Sequence, residues 1–569
     1  MAKGTVYIDG NPVAFDGEKN LLSIVRKTGI DLPTFCYDEA LAIHGACRMC
    51  MVEDEKGGLV ASCSEPPRDG MKFKTNTARL RKYRKNILEL LLANHCRDCT
   101  TCENSGKCRL QELVKRFGIS EVRFPNFAQE PKPDNSSCSV AKDQNKCILC
   151  GNCVRMCNDI QDVGAIAFAH RGSKMSISTA FGVPMAESNC VGCGQCAAVC
   201  PTGAIVVKND IPHVWKALYD PNVFVTVQVA PAVRVGLGCD LGLADDENGI
   251  GKIFAALRHM GFDKVFDTST TADLTIMEEA AEFVERLGTN PTMPLFTSCC
   301  PAWIHFVETK YPEMMPNVSS CKSPMQMFSK LLREKYNPEA AAEGKKHVHI
   351  AVMPCTAKKF EAARGEFVTE GQQDVDYVLS TQELIRMIQE AGLDFSKVTP
   401  EAPDQPFGEY SGGGVIFGNT GGVTEAVLRR VTADKKPGTY NVLAATGVRG
   451  MEGVKEFAVP LGDKELKIAV ASGLANAGKL LDKLKTGEVS YDFVEVMACP
   501  GGCACGGGQP PASREQKEAR EKGLYDADSA CSIRSPELNP IMDELYATTL
   551  KGHKNHELLH VHYPSHGKH

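Results

Sequence analysis

The sequence predicts a multidomain protein that combines α+β and α/β domains. Its 569 residues are too many for one hydrophobic core, since single cores stop growing at roughly 250 to 300 residues. Clustered cysteines and short strand patterns fill the first 209 residues, and strands alternate with helices from about residue 210 onwards. That alternation indicates α/β layers around a largely parallel sheet. We therefore expect four domains, at residues 1–78, 79–125, 126–209 and 210–569.

Cysteine is the outlier in an otherwise ordinary globular composition, with 26 cysteines against 2 tryptophans. In a small secreted protein such a count indicates disulfides, but this chain begins with a polar hairpin pattern and no apolar signal segment. We therefore expect reduced, metal-bound cysteines in a cytoplasmic protein. No apolar run is long enough to cross a bilayer, so no membrane contact is expected. A net charge of -6 gives no reason to expect a nucleic-acid partner.

Residues 1–78 have the pattern of a small β-grasp domain. A strand at residues 4–8, a turn at 9–12, a second strand and a helix over 21–28 follow one another. Four cysteines, the full ligand set of a 2Fe-2S cluster, belong to this domain: Cys36, Cys47, Cys50 and Cys63. The first gap of ten residues departs from the four of plant-type ferredoxins. A zinc site is the alternative interpretation.

Residues 79–125 have a helical pattern that leads into a spaced set of metal-binding residues. His95, Cys99, Cys102 and Cys108 follow the spacing HxxxCxxCxxxxxC of a 4Fe-4S cluster with one histidine ligand. A lone histidine is usually a surface or core residue, but three correctly spaced cysteines favour ligation. The basic run at residues 79–85 could dock an acidic electron carrier, although a solvated helix face also explains it.

Residues 126–209 carry two runs with the spacing of two-cluster bacterial ferredoxins, in which the fourth cysteine of each run binds the other cube. One 4Fe-4S cube is therefore assigned to Cys147, Cys150, Cys153 and Cys200, and the other to Cys190, Cys193, Cys196 and Cys157. Structural zinc is a remote alternative. Successive one-electron clusters suit a chain of short electron transfers.

Residues 210–569 have candidate strands at 223–229, 347–352, 466–471 and 493–497. Two of them run directly into Cys355 and Cys499, and open α/β sheets build their sites at the carboxyl ends of strands. The segment 236–241 is not a dinucleotide motif, because Leu241 stands where GxGxxG requires glycine. A nicotinamide would therefore have to be bound by another subunit.

Cys299 and Cys300 are adjacent, and neighbouring side chains leave the backbone in different directions, so the two thiols can have different functions. Cys300 can hold a cluster while Cys299 keeps a free thiol. Four thiolates, enough for one iron-sulfur cube, are then available in this domain: Cys300, Cys355, Cys499 and Cys503.

The motifs TSCCP, MPCxxKxxE and ExMxCxxGCxxG, in this order, resemble the signature of the iron-only (FeFe) hydrogenases, which produce or consume H2. The resemblance implies an H-cluster, in which Cys503 bridges the cube to a two-iron subsite that carries CO, cyanide and a dithiolate amine. The sets around Cys36 and His95 resemble modules of long hydrogenases and of the large iron-sulfur subunit of respiratory complex I. The implied cofactors are the H-cluster, one 2Fe-2S cluster and three accessory 4Fe-4S clusters.

The same resemblance implies a proton path that starts at Cys299 and continues through Glu279, Ser319 and Glu282. The two glutamates lie three residues apart on a helical segment and can face the same way. Carboxyl groups shielded from water have raised pKa values, which suits proton carriers near neutral pH. The alternative is an ordinary exposed helix in which Glu282 pairs with Arg286.

The resemblance also assigns residues around the diiron subsite. Lys358 would donate a hydrogen bond to a cyanide ligand. The expected apolar wall consists of Ala230, Pro231, Met353, Phe417 and Met497. In family members that have serine after this proline, its hydroxyl binds the second cyanide. Here the residue is Ala232, so that contact is missing from the expected set.

The implied partners are a ferredoxin or flavodoxin-like electron carrier, nicotinamide-binding subunits, and maturation proteins that supply the diiron unit. Two other functions remain open: an electron-transfer subunit like that of complex I, and a non-catalytic relative that assembles clusters or senses gas. No role is assigned to Cys96, Cys138, Cys239, Cys321, Cys505 and Cys531. The histidine-rich tail either binds metal adventitiously or packs back through Leu558 and Leu559.

Overall fold

The computed structural model describes residues 3–126, 131–289, 292–432, 437–461 and 464–563. The chain divides into two compact units. The first contains residues 1–160, 164–188 and 199–206, and the second contains residues 161–163, 189–198 and 207–569. The four-domain division remains a prediction.

The first unit begins with a five-stranded sheet of order β2-β1-β5-β3-β4. Its strands are β1 Lys3–Ile8, β2 Asn11–Asp16, β3 Met51–Asp54, β4 Leu59–Ala61 and β5 Lys72–Lys74. Helix α1, Leu21–Lys27, turns its apolar residues towards the core of this sheet, and Asn20 caps its first turn. The β-grasp pattern is confirmed.

The rest of the first unit is built from short elements that hold cysteine loops. Its helices are α2 Ala78–Ala93, α3 Arg109–Arg116 and α4 Asn152–Arg155, and its strands are β6 Val140–Lys142, β7 Ala167–Ala169, β8 Ser176–Ser178 and β9 Ile205–Val207. Most of the basic run on α2 is exposed, as a solvated helix face requires. Arg84 is the exception, because it is buried and donates to the carbonyls of Met49, Met51 and Thr75.

The second unit contains two four-stranded sheets where the sequence predicts one. The first sheet has the order β11-β10-β13-β16 and the second β12-β19-β18-β17. Their strands are β10 Val223–Val229, β11 Lys264–Asp267, β12 Leu295–Phe296, β13 Lys346–Met353, β16 Tyr377–Ser380, β17 Val454–Leu461, β18 Lys464–Ser472 and β19 Phe493–Met497. A small hairpin joins β14 Val368–Thr369 to β15 Gln372–Gln373. All pairings within the two large sheets are parallel except β17 with β18.

Helices cover both sheets of the second unit. They are α5 Gln195–Ala198, α6 Ile211–Leu218, α7 Ile250–His259, α8 Ser269–Thr289, α9 Pro301–Lys310, α10 Pro324–Ala342, α11 Ala357–Ala362, α12 Thr381–Glu390, α13 Gly412–Ile416, α14 Gly422–Val431, α15 Pro437–Leu443, α16 Leu474–Thr486, α17 Arg514–Ala530, α18 Pro540–Ala547 and α19 Lys554–Leu559. The central strands β10, β13 and β19 are almost wholly buried, which explains their nearly continuous apolar sequences.

The tail packs back on the second unit through Leu558 and Leu559, which are buried in a cluster with α8 and α10 residues. His566 and His569 lie outside the described residues. In the part of the chain that the structure describes, no helix has the length and apolar content needed to cross a membrane.

Candidate active site

The four cysteines predicted to bind the catalytic cube lie on loops that leave three parallel strands. Cys300 caps α9 after β12, Cys355 follows β13, and Cys499 follows β19. Cys503 begins a 3-10 turn after the loop Cys499–Gly502. These strands belong to two different sheets. The thiols therefore meet where the carboxyl ends of both sheets converge, a common position for sites in α/β folds.

The electrostatics of this site fit a metal cluster with several cations. Burial raises the pKa of each of the four thiols, and it raises that of Cys499 to about 12. Repulsion from other members of the set adds to the rise at Cys355, Cys499 and Cys503. Four thiolates that repel one another need compensating positive charge, which iron ions supply. Cys300 also accepts a hydrogen bond of 3.5 Å from the Ala498 amide to its Sγ.

The loop between Cys499 and Cys503 depends on glycine. Gly502 has a φ of +80°, and a Cβ there would lie 2.6 Å from the Thr420 amide nitrogen. The bulk of any other side chain would push the loop away from that backbone. Gly502 therefore allows the chain to turn tightly between two predicted ligands.

Cys299 lies beside the predicted apolar wall. It packs against a cluster that contains Phe417 and Met497, both at most 7% exposed. Met353 and Ala230 are buried in a neighbouring cluster at the end of β10 and β13. Pro231 is also buried, and Ala232 packs in a third cluster against Cys503. The structure thus brings Phe417 and Met497 to the Cys299 thiol, and it brings Ala232 to Cys503.

Lys358 is a buried cation at the edge of the site. Its Nζ donates to the Cys299 carbonyl at 3.2 Å and to Glu361 Oε2 at 2.8 Å. An ammonium has three donors, so one N–H remains for a further acceptor. Burial opposes its charge, but Glu361 outweighs this effect and raises the pKa of Lys358. A charged donor beside buried thiols fits an anionic ligand such as cyanide.

Glu279 is fully buried on α8, and neither of its carboxyl oxygens has a hydrogen-bond partner among the described residues. Burial, with repulsion from Glu282, raises its pKa to about 8. Glu279 is also the largest charged influence on the Cys299 thiol, whose pKa is raised mainly by burial. A carboxyl group in this environment is neutral at pH 7 and can change its protonation near physiological pH.

Glu282 makes both of the contacts considered from the sequence, the ion pair with Arg286 and the relay contact with Ser319. Arg286 donates to its Oε1 at 2.5 Å, as an i,i+4 pair on α8. On the other side, the Ser319 hydroxyl donates to its Oε2 at 2.7 Å. Ser319 is 1% exposed, and the side chain of Glu282 is 13% exposed. The ion pair of the alternative therefore exists, and the same half-buried carboxylate also contacts the buried Ser319.

The candidate 2Fe-2S ligands form a compact group in the first unit. The Cys47 amide donates to the Cys36 Sγ at 3.3 Å, and the Phe35 amide donates to the Cys47 Sγ at 3.4 Å. Hydrogen bonding with Cys36 lowers the pKa of Cys47 to about 6, and that with Cys63 lowers the pKa of Cys50 to about 7. The four thiols therefore lie within reach of one small cluster.

His95 offers a free ligand atom. The residue is 7% exposed, and its buried Nε2 has no hydrogen-bond partner among the described residues. Burial lowers its pKa, so the ring is neutral, the form that binds metal. Its Nδ1 accepts from the Arg97 amide at 3.1 Å. Cys99, Cys102 and Cys108 influence one another electrostatically nearby, which fits a shared cluster.

The first of the two ferredoxin-type sets surrounds one cavity. Cys147, Cys150, Cys153 and Cys200 line it together, so the crossing of the fourth cysteine fits the structure. In the other set, Cys157 belongs to the first unit, and Cys190, Cys193 and Cys196 belong to the second. That assignment stays a prediction. None of the cysteines whose side chains the structure describes forms a disulfide.

The segment with Cys190, Cys193 and Cys196 packs against the loops of the catalytic set within the second unit. Gln195 Nε2 donates to the Cys505 carbonyl at 3.1 Å, and the Thr356 hydroxyl donates to the Gly192 carbonyl at 2.7 Å. The pKa of Cys193 is raised mainly by burial, and next by electrostatic repulsion from Cys196 and Cys499. A cluster on this segment would lie next to the catalytic cube.

Several polar residues around Glu282 were not predicted. Ser320 donates to Glu282 through its amide and its hydroxyl, and Cys321 Sγ lies 3.8 Å from Glu282 Oε2. His560 Nδ1 lies 2.8 Å from the Ser320 hydroxyl, and His560 Nε2 lies 3.0 Å from Glu278 Oε2. The sequence had no local signal for this group, because 239 positions separate Cys321 from His560.

Models of protein families match nearly the whole chain. Residues 223–507 match the C-terminal domain of the iron only hydrogenase large subunit, and residues 514–566 match the iron hydrogenase small subunit. Residues 2–78 match a 2Fe-2S iron-sulfur cluster binding domain, residues 84–123 an iron-sulfur binding region of NADH-ubiquinone oxidoreductase G, and residues 146–204 a 4Fe-4S dicluster domain.

Named relatives and a solved structure agree with these matches. The NADP-reducing hydrogenase subunit HndD of Solidesulfovibrio fructosivorans is 42% identical over 99% of both chains. Iron hydrogenase 1 of Clostridium pasteurianum is 36% identical over 98% of this chain and 99% of that one. A structure of [FeFe]-hydrogenase HydA1 from Chlamydomonas reinhardtii matches with a TM-score of 0.54 and 38% identity, and covers 63% of this chain and 100% of that chain. The chain therefore belongs to the iron-only hydrogenases, a family of oxidoreductases that act on H2.

Proposed function

We propose that this protein catalyses the reversible reaction 2H+ + 2e- ⇌ H2 at an H-cluster bound by Cys300, Cys355, Cys499 and Cys503. The observation that carries the proposal is the convergence of these four thiols, two of them buried and two half-buried, beside Cys299 and the buried carboxyl of Glu279. A pure electron-transfer protein has no need for a titratable carboxyl next to its cluster.

The protein would hold the diiron subsite through Cys503, with Lys358 as donor to a cyanide ligand. When bound, the subsite supplies the metal at which protons and electrons combine. The apolar contacts of Phe417 and Met497 would keep water from this metal and its diatomic ligands. Ala232 contributes a methyl group where serine-bearing members have a hydroxyl, so the second cyanide would depend on backbone donors.

Protons would travel between the surface and the metal through side chains that both accept and donate. Cys299 would be the innermost carrier, followed by Glu279, Ser319 and Glu282. The pKa of about 8 at Glu279 supports this role, because neither protonation state is then strongly favoured near neutral pH. The Ser319 hydroxyl can accept one proton while it donates another.

Electrons would enter one at a time through four accessory clusters. The proposed ligands are Cys36, Cys47, Cys50 and Cys63 for the 2Fe-2S cluster, His95, Cys99, Cys102 and Cys108 for one cube, and the two crossed cysteine sets for the others. The contacts of Gln195 and Thr356 support the proposal that the cluster on the segment with Cys193 is the last one to carry electrons before the catalytic cube. The predicted domain boundaries at 78, 125 and 209 would then separate modules with one or two clusters each.

The partners follow from the chemistry and from the relatives. The similarity to HndD supports a complex with subunits that bind a nicotinamide, since this chain has no dinucleotide motif of its own. A ferredoxin or flavodoxin-like protein is the other electron carrier proposed here. The diiron unit requires maturation proteins. We retain the cytoplasmic location as part of the proposal.

The test compares anaerobically matured wild type with Cys299→Ala. The variant should keep all iron and the spectra of its clusters but lose at least roughly 100-fold in H2 turnover, because the innermost proton carrier is gone. Cys531→Ala is the matched control, since that half-buried thiol lies outside the proposed ligands and relay. Absence of H2 turnover in fully matured wild type would leave an electron-transfer, assembly or sensor function.

A further inference from the structure

Three potential metal ligands meet at the outer end of the proposed proton relay. A carboxylate oxygen of Glu282, the Sγ of Cys321 and a ring nitrogen of His560 all lie within 4.8 Å of one another. They come from α8, from the segment before α10, and from the residue that follows α19. Oxygen, sulfur and imidazole nitrogen together are the ligand set that zinc takes in proteins.

The cluster has access to solvent. It borders a groove of about 760 Å³ whose lining includes Glu282, Ser319, Ser320 and His560. Cys321 forms the buried end of the cluster, and the other two residues are half-buried. A hydrated ion can therefore enter from the groove and exchange its water for protein ligands.

We propose that Glu282, Cys321 and His560 bind one divalent transition-metal ion of the zinc class, and that the bound ion closes the proton relay. The regulatory half of this proposal rests on the proposed function, because it assumes that protons pass Glu282.

The two oxygens of Glu282 have different neighbours, which decides how a metal would bind. Arg286 holds Oε1 at 2.5 Å. Oε2 faces Ser319, Ser320 and the Cys321 Sγ. The ion would bind Oε2 while Arg286 keeps Oε1, so the ion pair on α8 survives. The three ligand atoms already lie at most 4.8 Å from one another. Zinc bonds of about 2.0 to 2.3 Å therefore require these atoms to move only slightly closer together.

His560 is already oriented by a carboxylate, as metal-binding histidines usually are. Its Nε2 lies 3.0 Å from Glu278 Oε2, and its Nδ1 lies 2.8 Å from the Ser320 hydroxyl. With Nδ1 on the metal, the Nε2–H would donate to Glu278 and the Ser320 hydroxyl would turn to another acceptor. Glu278 also adds negative charge next to a site that receives a dication.

Binding has a defined proton balance. The Cys321 thiol loses its proton to the groove when its sulfur bonds to the ion, so one proton leaves for each metal bound. His560 binds as the neutral imidazole, and Glu282 as the carboxylate. No electron is transferred.

The ion and the relay compete for the same atom. Oε2 of Glu282 accepts the 2.7 Å hydrogen bond from Ser319. An ion on Oε2 competes with the Ser319 hydroxyl for the lone pairs of this oxygen, and its positive charge repels protons from the carboxylate. The link from Glu282 to Ser319 is then broken while the metal clusters stay intact.

The direct test is zinc K-edge X-ray absorption on the mature holoenzyme with one equivalent of Zn2+. The expected shell has one sulfur and the remainder nitrogen and oxygen. Cys321→Ser, which preserves size, should remove the sulfur, and His560→Gln should weaken zinc affinity at least about tenfold. His562→Gln is the control, because it lines the same groove outside the triad. Unchanged electron paramagnetic resonance spectra would confirm that zinc has not replaced iron.

Turnover tests the regulatory half separately. Zinc should inhibit H2 turnover reversibly in wild type, a chelator should restore it, and His560→Gln should need at least about tenfold more zinc. A shell of several sulfurs, or affinity unchanged in both variants, would overturn the site. The expected shell with full turnover would overturn its regulatory role. A protein that binds zinc in this shell but never turns over H2 would instead refute the proposed function.

Discussion

The Ser319 hydroxyl donates a 2.7 Å hydrogen bond to Glu282 Oε2, while Arg286 holds the opposite oxygen of the same carboxylate. Ser319 is buried at 1% exposure, and Glu282 reaches the groove surface. This contact therefore joins a solvent-facing carboxylate to the protein interior. In the proposed proton path, it is the step that links the groove to the buried residues.

Ser319→Ala should lower H2 turnover by roughly 100-fold, because it removes the hydroxyl that the proposed relay places between its two glutamates. Steady-state H2 evolution and oxidation rates measure the effect. Ser320→Ala is the matched control, since its hydroxyl donates to the same oxygen of Glu282 at 3.3 Å but lies outside the proposed path. Equal losses in both variants would contradict the assignment.

Glu279 should impose opposite pH dependences on the two directions of the reaction. With a pKa of about 8, its carboxyl is protonated at lower pH and can pass protons inward, so H2 evolution should fall as pH rises through 8. H2 oxidation needs an acceptor and should rise over the same range.

Glu279→Gln should abolish this pH dependence and reduce both rates by roughly 100-fold or more. The control is Glu285→Gln, an exposed residue on the same helix, which should keep the wild-type profile. A wild-type profile that persists in Glu279→Gln would exclude this residue from the path.

Much of the fold could be predicted from local sequence. The strands at 223–229 and 493–497 agree with β10 and β19 to the residue, because segments rich in valine and other apolar residues are typical of strands in a buried parallel sheet. The ligand motifs could be located for a similar reason, since metal geometry imposes short, regular spacings between cysteines.

Features that depend on contacts between distant residues could not be predicted. Nothing local to β12 or β13 indicates that they join different sheets. Likewise, Arg84 resembles its basic neighbours in sequence but turns inward to three backbone carbonyls. The place of His560 beside Ser320 and Glu278 depends on how the tail packs.

Lys358→Gln should leave the catalytic cube in place and lose the diiron unit. The cube depends on four thiols, whereas the anionic ligands of the diiron unit depend on the buried ammonium. Electron paramagnetic resonance should detect the cube, and iron analysis should show the loss of two iron ions per chain, the number in a diiron unit. Lys335→Gln, a surface lysine on α10, is the control and should change neither.

Two buried histidines should make the second unit sensitive to acid. Burial lowers the pKa of His347 to about 3 and moves that of His349 in the same direction. Both rings lie within 2.8 Å of the Thr226 hydroxyl. A histidine kept neutral in the folded state contributes stability above its unfolded pKa of about 6.5, and this stability is lost as pH falls below it.

The expected loss is up to about 1.4 kcal/mol per pH unit for each ring between pH 6.5 and the folded pKa. Hydrogen exchange of the β10 and β13 amides at pH 7 and pH 5.5, corrected for intrinsic rates, measures it. His347→Gln should reduce the dependence. Equal protection at the two pH values would contradict the buried neutral rings.

The most direct test of the central claim is infrared spectroscopy of the anaerobically matured protein in the region where metal-bound CO and cyanide absorb. An H-cluster held by Cys300, Cys355, Cys499 and Cys503 predicts these bands in wild type, with Cys299→Ala keeping them while its turnover is lost. A fully matured protein with complete iron loading and no such bands would contradict the hydrogenase account.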